Sequence, residues 1–111
     1  MVFYSEEQKG NIIATAFCRL QTQQDALEQV RVQIRTFRQQ CDFASTEEAF
    51  GEILKFFGKF FPEHQDRMPV FKNRKKTFDE RLAIFKAFLE GLAAENTVAR
   101  KQNKEYLANL S

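Results

Sequence analysis

Apolar residues early in the chain fall at Ile13, Ala16, Leu20, Leu27, Val30, Ile34 and Phe37, steps of 3, 4, 7, 3, 4 and 3 residues. Gln23 stands in the one skipped slot. That is a heptad seam sustained over almost four repeats, the signature of a coiled-coil-like helix. Phe17 widens the stripe at its start, and the flanks are rich in Gln, Arg and Glu, which are good helix formers. The pattern predicts one helix over 6–40, about 50 Å long at 1.5 Å per residue. A short break follows at Cys41-Asp42-Phe43-Ala44. Ala49, Phe50, Ile53, Leu54, Phe56, Phe57, Phe60 and Phe61 then predict a second helix over 46–61, stopped by Pro62. Its apolar face is broader than a two-helix seam needs, with Glu47, Glu48, Glu52, Lys55 and Lys59 opposite. Residues 62–76, with Pro62 and Pro69, read as a long irregular connection, a length at which loops are often functional. From Thr77 the seam returns as Phe78, Leu82, Phe85, Leu89 and Leu92, and the same register continues through Asn96, Ala99, Asn103, Tyr106 and Leu110. One helix over 77–110 with a polar second half is the expectation. The alternative is a break at Asn96-Thr97 that yields a fourth helix.

Three capping boxes mark the starts: Ser5 to Gln8, Ser45 to Glu48, and Thr77 to Glu80. Each offers a side-chain acceptor to the unpaired amides of a first turn, with carboxylates where the helix dipole favours them. The fold class is therefore all-α. We expect a single elongated domain spanning 1–111, with two long antiparallel helices and a short Phe-rich helix between or across them.

The chain has 111 residues, 13 of them Phe and none Trp, with four Gly and two Pro. So few turn formers exclude a multi-stranded β protein, and the length excludes a multidomain enzyme. The longest apolar runs are four residues, Met1 to Tyr4 and Leu82 to Phe85. No membrane span or secretory segment is expected. Cys18 and Cys41 would lie roughly 34 Å apart on one helix, beyond the reach of a disulfide. Two unpaired thiols then point to a reducing cytoplasm. Cys18 is expected to pack as a small apolar residue, and Cys41, at a helix end, to be exposed.

Catalysis needs a nucleophile, base or metal held in a pocket. The single histidine, His64, lies in Pro62-Glu63-His64-Gln65-Asp66 without ligands at helical spacing, and reads as a surface loop residue. Gly10, Gly51, Gly58 and Gly91 are isolated, so no phosphate-binding glycine loop exists. The reading is a non-enzymatic chain with no cofactor, no metal and no small-molecule substrate. Seams longer than a 16-residue helix can cover would leave Leu27, Val30 and Ile34, or Leu89 and Leu92, partly in water. Burying that surface at roughly 25 cal/mol per Å² favours association. The first expectation is thus an assembly or adaptor subunit acting through helix–helix contact with a protein partner or another copy. Phe56, Phe57, Phe60 and Phe61 would pack the partner, while Leu89, Leu92, Asn96 and Tyr106 would set its register, because Asn at a core heptad position fixes register.

Charge supplies a second expectation. The formal net charge is +2, but residues 69–111 carry nine basic and five acidic side chains. The excess includes Arg81, Arg100, Lys101 and Lys104. Arg31, Arg35 and Arg38 form a ridge on the first helix. With Lys72, Arg74, Lys75 and Lys76 they would contact a nucleic-acid backbone without reading sequence, as in a small accessory subunit or inhibitor of a nucleoprotein complex. Membrane association is disfavoured, because the polar face of the Phe-rich helix is net acidic.

Overall fold

The structure, a computed structural model, describes residues 6–110, the side chains of 6–9 and 11 excepted. Every regular element among the described residues is helical. Helix α1 spans Glu6–Phe43, α2 Glu47–Phe60, α3 Met68–Phe71 and α4 Phe78–Leu110. A 3-10 helix over Pro62–Arg67 joins α2 to α3. The all-α class with two long helices is as the seams indicate. Helix α4 continues unbroken through Asn96 and Thr97, so the break does not occur.

Two of the three predicted helix starts lie among the described residues. The Thr77 hydroxyl accepts from the Glu80 amide at 3.2 Å. At α2 the cap is Thr46, not Ser45: its hydroxyl accepts from the Ala49 amide at 3.1 Å, and its backbone is extended at φ −130°. The Ser5 box falls outside the described residues. Helix α1 ends three residues later than expected, and the stretch 62–76 is largely helical rather than irregular. Pro62 and Pro69 each sit in a first turn, where a missing amide hydrogen costs nothing, so they start helices there instead of interrupting them.

The chain forms two compact units, one of residues up to 31 and from 95 onward, the other of Val32–Ala94. The Val32–Ala94 unit is built around phenylalanine. Phe57 is fully buried, with ring centroids at 5.6 Å from Phe37, 5.1 Å from Phe61, 5.1 Å from Phe85 and 6.0 Å from Phe88. Most of these pairs are edge-to-face, the arrangement that the ring quadrupoles favour. Helix α2 therefore packs against the ends of α1 and α4 that belong to this unit. Met68 and Phe71 of α3 close the core from another side, Phe71 lying 5.0 Å from Phe85. Cover from residues 62–71 is what the sequence did not reveal. Ile34, Leu89 and Leu92 are buried within the chain, which corrects the expectation that they stay partly wet, while Leu27 and Val30 are half-buried as that expectation has them. At Gly58 the Gln65 amide donates to the backbone carbonyl at 2.9 Å, and a Cβ would stand 2.7 Å from that nitrogen, so a side chain there would displace the Gln65 amide.

Ion pairs bind the elements of this unit. The Asp42 carboxylate accepts from the Lys86 ammonium at 2.8 Å, which holds that ammonium above its usual pKa. Arg81 in the first turn of α4 is buried and pairs with Glu47 in the first turn of α2, leaving its Nε without a partner.

The other unit pairs the earlier part of α1 with the later part of α4 over a polar seam. The Asn96 amide donates to the Leu27 carbonyl at 3.0 Å, and the Asn103 amide to the Leu20 carbonyl at 2.9 Å. Seven residues along one helix thus match seven back along the other, which is an antiparallel register. Asn103 also donates to Gln24 Oε1 at 3.0 Å. Gln24 is buried and Gln23 exposed, so the polar slot lies one residue later than the heptad count places it. Arg100 donates to Asn96 Oδ1 at 3.0 Å and to Glu28 at 3.2 Å, while Arg31 donates to Glu28 at 2.8 Å. The Arg31 guanidinium, with help from Arg100, holds the Glu28 carboxyl below its usual pKa.

Candidate functional site

Helix α2 has more phenylalanine than its buried face can use. Phe50, Ile53, Leu54 and Phe57 point into the core, and Phe61 follows them at the C-cap. Phe56 and Phe60 fall on the adjacent face and stay 54% and 40% exposed. They rim an open groove of about 450 Å³ with Lys59 of α2 and with Gln33, Thr36, Phe37 and Gln40 of α1. The α1 residues recur at three- and four-residue steps beside the seam, so one helix flank supplies the whole opposing wall. Lys59 holds its ammonium 5.8 Å from the Phe56 ring centroid. The lining combines apolar rings, neutral polar groups and one cation, with no carboxylate. Such a lining offers packing surface and hydrogen bonds, and it holds no histidine, cysteine or carboxylate.

The expected partner-binding residues thus divide. Phe56 and Phe60 are together at the surface, and Tyr106 is 59% exposed in the other unit. Phe57, Phe61, Leu89 and Leu92 are consumed by the chain's own core. Asn96 sets register, but between the two helices of its own chain. Gln33, Thr36, Gln40 and Lys59 were not singled out from the sequence. Their signal was present only as the polar flank of the α1 seam and the cation between two exposed rings.

The basic residues divide as well. Arg31 is engaged by Glu28, and Arg38 lies 3.9 Å from Glu90. Arg35 is exposed with no ion pair among the described residues. Lys72, Arg74, Lys75 and Lys76 are all exposed on the turn after α3, again without an ion pair among the described residues. Asn73 shapes that turn, its side chain accepting from the Lys75 amide at 3.0 Å. Arg81, part of the same cationic excess, is buried against Glu47.

The thiols reverse the sequence expectation. Cys18 is exposed because it lies off the seam, and Cys41 is buried because it extends the run Ile34, Phe37 by four residues. Burial pushes the Cys41 thiol up to about 11, against a smaller opposing pull from Lys86. His64 is half-buried rather than a surface residue. It lies in the 3-10 helix 5.2 Å from the Phe88 ring and 6.3 Å from that of Phe57. Among the described residues no cluster of three His, Cys, Asp or Glu could hold a metal ion, and no helix is long and apolar enough to cross a membrane.

Comparison with protein-family models, with curated proteins and with solved structures finds no match to the chain.

Proposed function

We propose that this chain is a non-enzymatic assembly or adaptor subunit that works through helix–helix contact, with the Phe56–Phe60 face of α2 as its docking surface. The observation that carries the reading is the pair of large rings left half in water beside Phe37, in a groove with no carboxylate, histidine or cysteine. Exposed aromatic residues rimmed by polar ones are common anchors of protein interfaces. The reasoning from exposed seams supports it only at Leu27 and Val30, which are half-buried, since Ile34, Leu89 and Leu92 are covered. A reducing cytoplasm agrees with two unpaired thiols. A benzophenone side chain introduced in place of Phe60 tests the reading in cells. The expected result is a discrete protein adduct, absent with the same probe at exposed Asp79 and lost on adding Phe56→Ser. Equal labelling at both positions would sink it.

A second reading rests on the turn holding Lys72, Arg74, Lys75 and Lys76, where four exposed cations lie within five residues. On this reading the chain is an accessory subunit that touches nucleic-acid phosphates, each contact adding salt-dependent affinity. Filter binding of single-stranded RNA and DNA at low salt, with and without Lys75→Glu and Lys76→Glu, separates the two readings. Binding that the charge reversals weaken favours the second, and no retention at low salt rejects it.

A further inference from the structure

We propose that the α2 docking face is one half of a two-fold symmetric interface whose occupant is α2 of a second copy of this chain. The inference rests on the interaction-subunit reading and names its partner. A two-fold interface joins a patch to itself, so the patch must be complementary to its own rotated image. The α2 face meets that condition. Glu52 precedes Phe56 by four residues and Lys59 follows it by three, all on the exposed side of the helix. At 1.5 Å per residue, a carboxylate and an ammonium stand about 6 Å and about 4.5 Å to either side of the central ring.

Two such helices laid antiparallel and crossing at Phe56 bring Glu52 of each copy against Lys59 of the other, twice, with the two Phe56 rings meeting near the axis. Laid parallel, they would set Glu52 beside Glu52 and Lys59 beside Lys59, so the charges select one orientation. Glu52 and Lys59 have no ion pair among the described residues, and the Lys59 ammonium lies 5.8 Å from the Phe56 ring centroid of its own helix. Neither charge has to leave an ion pair to form the interface. Phe60, half exposed on the rim, then packs over the groove wall formed by Gln33, Thr36 and Gln40. The charge arrangement distinguishes this occupant from an unrelated helix, because the stripe that would bind is also the stripe that would be bound.

Light scattering on eluting protein, loaded from about 5 to about 300 µM at low salt, gives the mass across a range of dissociation constants. The expected mass is twice that of the chain at the upper end. Phe56→Ser is expected to leave a monomer with unchanged helical circular dichroism, since the side chain contributes little to the core. Glu52→Lys and Lys59→Glu, each alone, place like charges in both symmetric pairs and should weaken dimerisation about tenfold. The double variant, with the charges exchanged, should recover to within about threefold of the original. In a Cys18→Ser background, Phe56→Cys should oxidise to a disulfide-linked dimer across the axis.

A monomer at the highest concentration overturns the proposal, as does a dimer indifferent to Phe56→Ser or a charge exchange without recovery. If the chain is monomeric while the Phe60 probe still captures another protein, the second-copy inference fails and the interaction reading stands. If both are negative, both fail.

Discussion

Phe56 and Phe57 are neighbours in sequence with opposite surroundings, the first 54% exposed and the second 0%. Nothing in their chemistry distinguishes them. One hundred degrees of helix rotation does, while Phe61 is separated from Phe60 by leaving the helix at its C-cap, φ −118° and ψ 68°. Cys18 and Cys41 divide in the same way, and at Cys41 the environment has a measurable consequence. Burial raises its thiol from an ordinary value of 9.0 to about 11. A thiol that ionises more readily in the unfolded chain than in the folded one contributes stability that is complete below the unfolded value. That contribution is lost as the pH rises from about 9 past about 11, and a shift of this size corresponds to about 3 kcal/mol in full, of which about 2 is lost by pH 11. Cys41→Ala removes the thiol and should be the less stable protein at neutral pH, because it leaves a small cavity. In urea titrations the gap between the original protein and this variant should narrow by about 2 kcal/mol between pH 8 and pH 11. A gap independent of pH would show that the thiol is not withdrawn from water.

At the scale of elements, the first turns of α2 and α4 are joined by Glu47 and Arg81. The guanidinium is buried and has an unpartnered Nε, while the Glu47 side chain is 68% exposed. Removing the carboxylate leaves a buried charge uncompensated, whereas removing the charge itself does not. Glu47→Ala should therefore destabilise the protein by about 1–3 kcal/mol in urea titrations. Arg81→Met, which keeps the stem and drops the charge, should cost less. The opposite order would mean that the pair is not a buried one.

This contact marks where the sequence stops being legible. The helices themselves were readable, because local signals define them: Thr46 or its neighbour as a cap, Thr77 as another, and apolar steps of three and four. Assigning Ser45 rather than Thr46, or Gln23 rather than Gln24, is a one-residue ambiguity that a heptad count does not resolve, since an α-helix drifts about 20° per heptad. Residues 62–71 are illegible in the sequence because proline reads as a breaker, where it serves as a first-turn residue. That misreading hides Met68 and Phe71, and with them the rings that Phe71 packs against, Phe57, Phe85 and Phe88. Of the candidate site, the excess of Phe on α2 was visible in the sequence. Which rings are excess depends on the angle between α2 and its neighbours, and no local pattern encodes that angle.

On the scale of the whole molecule, the two compact units are held by different physics. The Val32–Ala94 unit is closed by rings in mutual contact around Phe57. The other has two helix segments, with Gln24, Asn96 and Asn103 at the seam and Ile12, Ile13, Phe17 and Tyr106 near half exposed or more. A buried amide bonded to a backbone carbonyl contributes about 1 kcal/mol net, less than a buried leucine in its place. Asn96 and Asn103 thus specify a register at the expense of holding it firmly. Native-state hydrogen exchange on the full chain should show the difference. Amides of 15–29 and 97–108 should exchange at least about tenfold faster, after correction for intrinsic rates, than those of 53–57 and 85–92. Asn96→Leu combined with Asn103→Leu should slow the first group towards the second, because it replaces the polar seam and alters nothing around Phe57. Uniform protection in the original protein would mean that both units open only together. A double variant that leaves the faster group unchanged would assign its weakness to the missing third helix rather than to the asparagines.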